Sequence, residues 1–445
     1  MKRILIFIVL IVLLLIGLFF IAKPRIGENF YEKGQLMLDS AKYDAAAEYF
    51  NKAIQWKKEF PEAYLGLAKT HNQQDEFTQA IQAVNKSIQI TPLQGAYFER
   101  GYAHFFLNHP DSALADFTMA LENDYKPVIA YTYRGILHYN KENPDQAIDD
   151  YTSAIQLDST YAKAYYNRGI AYASRQKYEA SINDYDKALA LAGDNLDMLL
   201  ERVQAKSTIE DYAGAINDYD KIIEMDPDNE EAFYQRGLFK FELKDFQGAI
   251  EDLTGAINLN SRNAEAFYRR GIAHANTNNY SRAINDFNKT LQLNPDKDRA
   301  YFNRGLAYLH SRNFSNAQQD LRKYSNLTNG DPRSLQLLGT IKAYQQDYNG
   351  SIELFNEAIE LDDNYAEAYF SRRISKGMLK RHEDAIRDYN KAIDRNNQKG
   401  EYYFNRGISR INLNDFAGGC RDFRKAKSLG FDRADEMIQT YCKNN

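Results

Sequence analysis

Apolar and small residues recur along this chain in two registers, every third or fourth position locally and every 34 residues over long distance. In the stretch 162–195, Ala164, Tyr165, Arg168, Gly169 and Tyr172 follow at helical spacing until the polar break Ser174-Arg175-Gln176-Lys177. That spacing predicts one short amphipathic helix. After the break Tyr178, Ser181, Ile182, Tyr185, Ala188 and Leu189 repeat the spacing, and the stretch closes at Gly193-Asp194, which predicts a second helix. Prolines agree with this division. Pro110 and Pro144 fall in the first turn of second helices, and Pro61 and Pro332 fall where first helices begin, positions that tolerate a missing N–H. The small residues Gly169, Ser181 and Ala188 let the paired backbones approach closely, and the large aromatics fill what remains.

The long register is announced by an arginine-glycine pair: Arg134-Gly135, Arg168-Gly169, Arg236-Gly237, Arg270-Gly271, Arg304-Gly305 and Arg406-Gly407. In-phase Gly34, Ala68, Gly101, Val203, Gly339 and Arg373 complete twelve copies over residues 27–431, and only the step from Ala68 to Gly101 is 33. A fixed period of this length is one supersecondary unit stacked on its neighbours. The period itself gives no interior domain boundary. It divides the chain into an N-terminal segment 1–26, an array 27–431 and a capping helix with tail 432–445.

Copy eight carries the sequence details most fully, with Phe267, Gly271, Ala283, Phe287 and Pro295. By these residues the unit resembles the tetratricopeptide repeat, a 34-residue helical hairpin. The resemblance implies an all-α protein, an α-solenoid of about twelve hairpins with a C-terminal capping helix, winding as a right-handed superhelix whose first helices line a concave groove. It also implies that positions two, five, nine, twelve and thirteen of each first helix face that groove. Position five is aromatic at Phe98, Tyr166, Tyr234, Tyr268, Phe302, Phe370 and Phe404. A row of rings suits an extended or helical apolar peptide. The same rings also suit packing between neighbouring hairpins, and the sequence leaves both readings open. The carboxylate clamp of chaperone-tail receptors needs lysine and asparagine at set positions of three consecutive copies. No three copies here supply them, although Asn167, Asn303 and Asn405 stand at position six.

The chain departs from the usual repeat just before the glycine, where nine copies carry arginine instead of leucine: Arg100, Arg134, Arg168, Arg202, Arg236, Arg270, Arg304, Arg372 and Arg406. A charge at a normally buried position needs a partner. Sixteen residues later the same nine copies have Asp116, Asp150, Asp184, Asp218, Asp252, Asp286, Asp320, Asp388 and Asp422. The other three lack both, having Lys33 with Tyr49, Leu67 with Ala83 and Leu338 with Leu354. Covariation within a copy predicts a structural ion pair inside each hairpin.

Outside the array, Ile4 to Ala22 is a run of 19 residues without a charge, flanked by Lys2-Arg3 and Lys23-Pro24-Arg25. As a helix it reaches about 28 Å, close to the roughly 30 Å apolar core of a bilayer, which predicts a single-pass signal-anchor helix over residues 4–22. A cleaved signal peptide has a shorter apolar core and small residues at the cut, whereas Phe20 stands here. Flanking charges are nearly balanced and leave orientation to the cysteines. Cys420 and Cys442, the chain's two cysteines, lie close together at its far end. As a disulfide they would staple the terminal repeat and require an oxidising compartment; as thiols they would fill gaps in the core. The first reading puts the repeats on the extracytoplasmic side of the membrane.

The charge balance, 56 basic against 61 acidic residues, offers no basic groove for nucleic acid. His71, His104, His138 and His274 share one repeat position with Tyr172 and Tyr308, which reads as substitution for a packing aromatic. Equivalent positions in stacked helices lie about 8–10 Å apart, too far for one metal ion. No HExxH, phosphate loop, GxSxG or calcium loop occurs, so neither metal nor cofactor is expected and the chain does not read as an enzyme. The expectation is a membrane-anchored scaffold holding a protein or peptide partner. The alternatives are a cytoplasm-facing, co-chaperone-like adaptor and a protein acting on cell wall or carbohydrate through groove carboxylates.

Overall fold

In a computed structural model the chain is described over residues 10–11 and 25–442, and every regular element among the described residues is a helix. The segment 4–22 expected to cross a membrane lies outside the described residues. Among the described residues no helix is long and apolar enough to span a bilayer.

The chain divides into two compact units, residues 1–221 and 222–445, the division falling within the helix Tyr212–Met225. The first unit begins with the helix over residues 25–39, paired with Tyr43–Trp56. Hairpins follow at Pro61–Gln73 with Phe77–Ile90, Ala96–Phe106 with Pro110–Glu122, Pro127–Asn140 with Pro144–Leu157, and Ala162–Ser174 with Tyr178–Ala192. Leu196–Thr208 is its last complete first helix. The second unit contains the hairpins from Glu230–Glu242 with Phe246–Leu259 through Gly400–Asn412 with Phe416–Ser428, and it closes with Ala434–Tyr441.

In the copies that carry glycine after the arginine position, the hairpin is held by a small-against-large contact. A methyl placed on Gly169 would lie 2.6 Å from the ring of Tyr185, so only the bare backbone lets that ring lie flat against the first helix. Tyr185 is fully buried, as are Phe117, Tyr151, Phe287 and Phe423 at the same repeat position. Burying such a ring contributes about 1.5–3 kcal/mol. Beside them Ala46, Ala80, Ala113, Ala147, Ala249, Ala283 and Ala317 are inaccessible to solvent, the small surfaces on which each second helix seats.

The turn within each hairpin is the same in all twelve copies. A residue in the left-handed region follows the first helix (Ala41, Asp75, Asn108, Glu142, Gln176, Glu210, Lys244, Asn278, Arg312, Gln346, Lys380 and Asn414, with φ from 56° to 64°). The next N–H returns five residues, as from Lys177 to the Tyr172 carbonyl at 2.9 Å, closing a Schellman cap. None of the twelve is glycine, so each copy holds a strained side-chain-bearing residue for the sake of a tight return.

Candidate functional site

The nine arginine–aspartate pairs are bidentate. In every copy that carries the pair, arginine Nε donates to one carboxylate oxygen and Nη2 to the other, at 2.5–3.0 Å. The aspartates are 2–8% exposed and the arginines 11–24%, so each pair is lodged beneath the surface. The hydrogen bonds it donates to Asp184 raise the affinity of the Arg168 guanidinium for its proton, against the opposing effect of burial.

A bridge confined to the hairpin is an incomplete description. Within each unit the remaining guanidinium nitrogen reaches back to the second helix of the preceding copy: Arg100 to Asn85, Arg134 to Thr118, Arg168 to Thr152 and Arg202 to Asp186 in the first unit. In the second, Arg270 reaches Thr254, Arg304 Asn288, Arg372 Asn356 and Arg406 Asn390. The acceptor stands two residues after the aspartate position, a signal that was present in the sequence. Asn85 and Asn356 keep it in copies that lack their own pair but precede an arginine, whereas Arg322 replaces it just before Leu338. The guanidinium therefore fixes both the hairpin and its register on the preceding one.

The histidine position likewise does more than pack. His138 and His274 lie 3.8 and 3.9 Å from Asp150 and Asp286. Their place is taken elsewhere by Lys206, Lys240, Lys376 and Arg410, which contact Asp218, Asp252, Asp388 and Asp422 at 2.7–2.9 Å. Burial lowers the basicity of His104, His138 and His274 despite the nearby aspartates. His71 contacts Glu76 at 2.6 Å, and His104 contacts His109 at 3.2 Å. Among the described residues no three His, Cys, Asp or Glu side chains cluster as metal ligands would.

The seven position-five rings are used mostly inside the protein. Phe98, Tyr268 and Phe404 are 4–6% exposed and offer a partner little surface, which corrects their assignment to a ligand row. Tyr166, Tyr234, Phe302 and Phe370 are half-buried. Phe98, Tyr166, Tyr268, Phe370 and Phe404 each lie against the second-helix ring 19 residues on, at centroid distances of 5.7–6.2 Å. At the far end Cys420 and Cys442 form a disulfide that ties the closing helix to the buried Phe423 cluster.

The open concavity with the richest chemistry lies in the first unit, a cleft of about 430 Å³ lined mainly by the first helices of copies two to four, with Leu38 and Tyr43 of copy one and Tyr161 at its ends. Tyr102 and Tyr133 form its wall, edge to face at 5.6 Å, beside the buried Phe98. Burial pushes the Tyr133 hydroxyl up to about 12, so it remains a hydrogen-bond donor at neutral pH. Glu99, 5% exposed, accepts from Asn72 Nδ2 at 3.0 Å and pairs with Lys126 at 3.4 Å. Lys126 lies over Phe98, and Lys69 lies 5.9 Å from the Tyr125 centroid. The backbone here is unusual. Lys126 has φ 45° and ψ 51° immediately before Pro127, a left-handed conformation that a side-chain-bearing residue rarely adopts. Gly95, at φ 95°, leaves room for Tyr125, whose ring would stand 2.6 Å from any Cβ there. The single 33-residue step of the repeat falls beside this place, between Ala68 and Gly101, and is the one irregularity of the sequence that could have pointed to it.

Stacked helical hairpins with ion-paired registers and an open aromatic cleft define an α-solenoid built for recognition. The chain belongs to the tetratricopeptide repeat family. Family models described as tetratricopeptide or TPR repeats match residues 37–100, 135–176, 162–195, 200–264, 264–297, 298–329 and 332–365. Hsp70-Hsp90 organizing protein 2 of Arabidopsis thaliana is 28% identical over 103 residues, a match spanning 23% of this chain and 18% of that protein. Among solved structures, yeast Tom70 is 15% identical with a TM-score of 0.41, covering 94% of this chain and 96% of that one. MamA from Desulfovibrio magneticus RS-1 is 20% identical with a TM-score of 0.35, covering 38% and 95%.

Proposed function

We propose that this protein is a membrane-anchored tetratricopeptide scaffold that holds a protein or peptide partner in the cleft of its first unit, with the repeats on the extracytoplasmic side. The observation that carries the partner-binding part is the cleft itself. It is an open cavity walled by Tyr102 and Tyr133 and rimmed by lysines, in a family whose hairpins form recognition surfaces. The apolar run 4–22 supports an anchor, and the Cys420–Cys442 disulfide supports an oxidising compartment. The match to an Hsp70-Hsp90 organizing protein favours a second reading, a cytoplasm-facing adaptor. The two readings differ in topology. Protease added outside cells stripped of their outer barrier should digest the repeats while a cytoplasmic marker survives, and protection of the repeats would favour the adaptor. For binding, a photoreactive residue replacing Tyr102 should yield discrete crosslinked adducts in intact cells. The same residue at exposed Lys187, on a second helix, should give none. Equal adduct patterns at both places, or adducts at neither, would count against the cleft.

A further inference from the structure

The charges around the cleft do not balance, and the imbalance has one sign. Glu99 is the only carboxylate among the residues lining it and is already occupied by Asn72 and Lys126, while Asp75 acts on Tyr102 from outside the lining, against the three ammonium groups of Lys69, Lys126 and Lys163. Lys69, half-buried on the first helix of copy two, has no carboxylate partner among the described residues. A third ammonium, that of Lys163, lies 5.2 Å from the Tyr133 centroid. Two of the lining rings, Phe98 and Tyr133, thus already lie under this chain's own lysines. An incoming ammonium would meet three positive groups with a buried, committed glutamate behind them. An incoming carboxylate would meet the Lys69 ammonium beside the paired hydroxyls of Tyr102 and Tyr133.

We infer that the cleft recognises an acidic peptide segment, seating a carboxylate side chain at Lys69 and a neighbouring aromatic or apolar side chain against Tyr102 and Tyr133. The inference rests on the reading of the cleft as the partner site and adds the chemistry of what enters it. A cavity of about 430 Å³ accommodates a few side chains of an extended chain and excludes a folded domain. Lys126 is the weaker candidate for primary reader, because Glu99 already faces it at 3.4 Å. Of the two lysines that line the cleft, Lys69 is the one whose charge is left for the ligand.

The test uses the full chain and three synthetic probes: acetyl-Glu-Phe-Glu-amide, acetyl-Gln-Phe-Gln-amide and acetyl-Lys-Phe-Lys-amide, titrated by ligand-observed NMR. The acidic peptide should bind about fivefold more tightly than the neutral one, the upper range for one partly exposed ion pair. Raising the salt concentration should narrow that difference. Lys69→Gln should bring the two peptides to within twofold of each other without weakening the neutral one. Tyr133→Ala should weaken both alike, with circular dichroism checking that the variant retains its helical content. If the neutral peptide binds as well as the acidic one, and Tyr133→Ala weakens both, the cleft survives as a partner site and the acidic inference falls. Tightest binding of the lysine peptide also overturns it. If no probe binds at any concentration, or binding ignores Tyr133→Ala, both the inference and the cleft reading fail.

Discussion

Replacing Arg168 by leucine removes the partner of Asp184 and leaves the carboxylate where it was. That side chain is 8% exposed and receives its two strong hydrogen bonds, at 2.7 and 2.9 Å, from this one guanidinium. The residue one turn further along the first helix is Tyr172, which brings no charge to replace the lost one. An abandoned buried charge costs about 3–5 kcal/mol, whereas exchanging both partners for apolar groups of similar volume is often close to neutral. Copy ten already has such an exchange, with Leu338 and Leu354. Arg168→Leu should therefore lose most of that energy, and Arg168→Leu with Asp184→Leu should recover all but about 1 kcal/mol, the hydrogen bond to Thr152. Arg202→Leu provides an internal control. Its Asp218 keeps Lys206 at 2.9 Å and should lose roughly half as much or less. Guanidinium denaturation followed by circular dichroism gives the global effect. Hydrogen exchange over Tyr178–Ala192 gives the local one, which matters because repeat arrays unfold in parts. Equal losses in the single and double variants would refute the ion-pair reasoning, and so would an Arg202→Leu loss as large as that of Arg168→Leu.

Three further outcomes are expected. Lys244→Gly should stabilise the second unit by about 0.5–1 kcal/mol, because φ 62° strains any residue with a Cβ; a lower denaturation midpoint would contradict this. Burial sets the folded-state basicity of His104, His138 and His274 below the ordinary value of 6.5, so the unfolded chain takes up protons first as the medium becomes acidic. Their contribution is complete above about pH 6.5 and is lost as pH falls through that value toward the lower folded ones; His138→Gln with His274→Gln should flatten the midpoint between pH 7.5 and 5.5, and an unchanged slope would count against it. Opening the Cys420–Cys442 disulfide, which closes a separation of 22 residues, should cost the last hairpin about 3 kcal/mol, read as faster exchange over Phe416–Ser428 in Cys442→Ser; exchange unchanged there would mean that the staple carries no stability.

The helices, their pairing and the arginine–aspartate partnership could all be read from the sequence, because each depends on residues at most 34 apart whose spacing recurs. Periodicity averages over twelve copies what a single copy states weakly. The third arm of the arginines within each unit followed from the same spacing but acts on the preceding copy. It becomes visible when the acceptor two residues beyond each aspartate is compared with the arginine of the following copy, as Asn85, Asn356 and Arg322 demonstrate. Position five was ambiguous for a physical reason. A ring there can face a partner or its own second helix, and the pattern is identical in both cases; Phe98, Tyr268 and Phe404 are buried against their second helices, whereas Tyr166, Tyr234, Phe302 and Phe370 stay half-buried. The cleft was the least legible feature. It depends on a left-handed Lys126, on Gly95 making room for Tyr125, and on Glu99 committing to Asn72 27 residues away. Sequence alone determined a repeating hairpin and what holds it together, since those interactions repeat. Only the tertiary structure decided which of the lysines lining the cleft faces a carboxylate, since Glu99 and Lys126 meet across 27 residues in different copies.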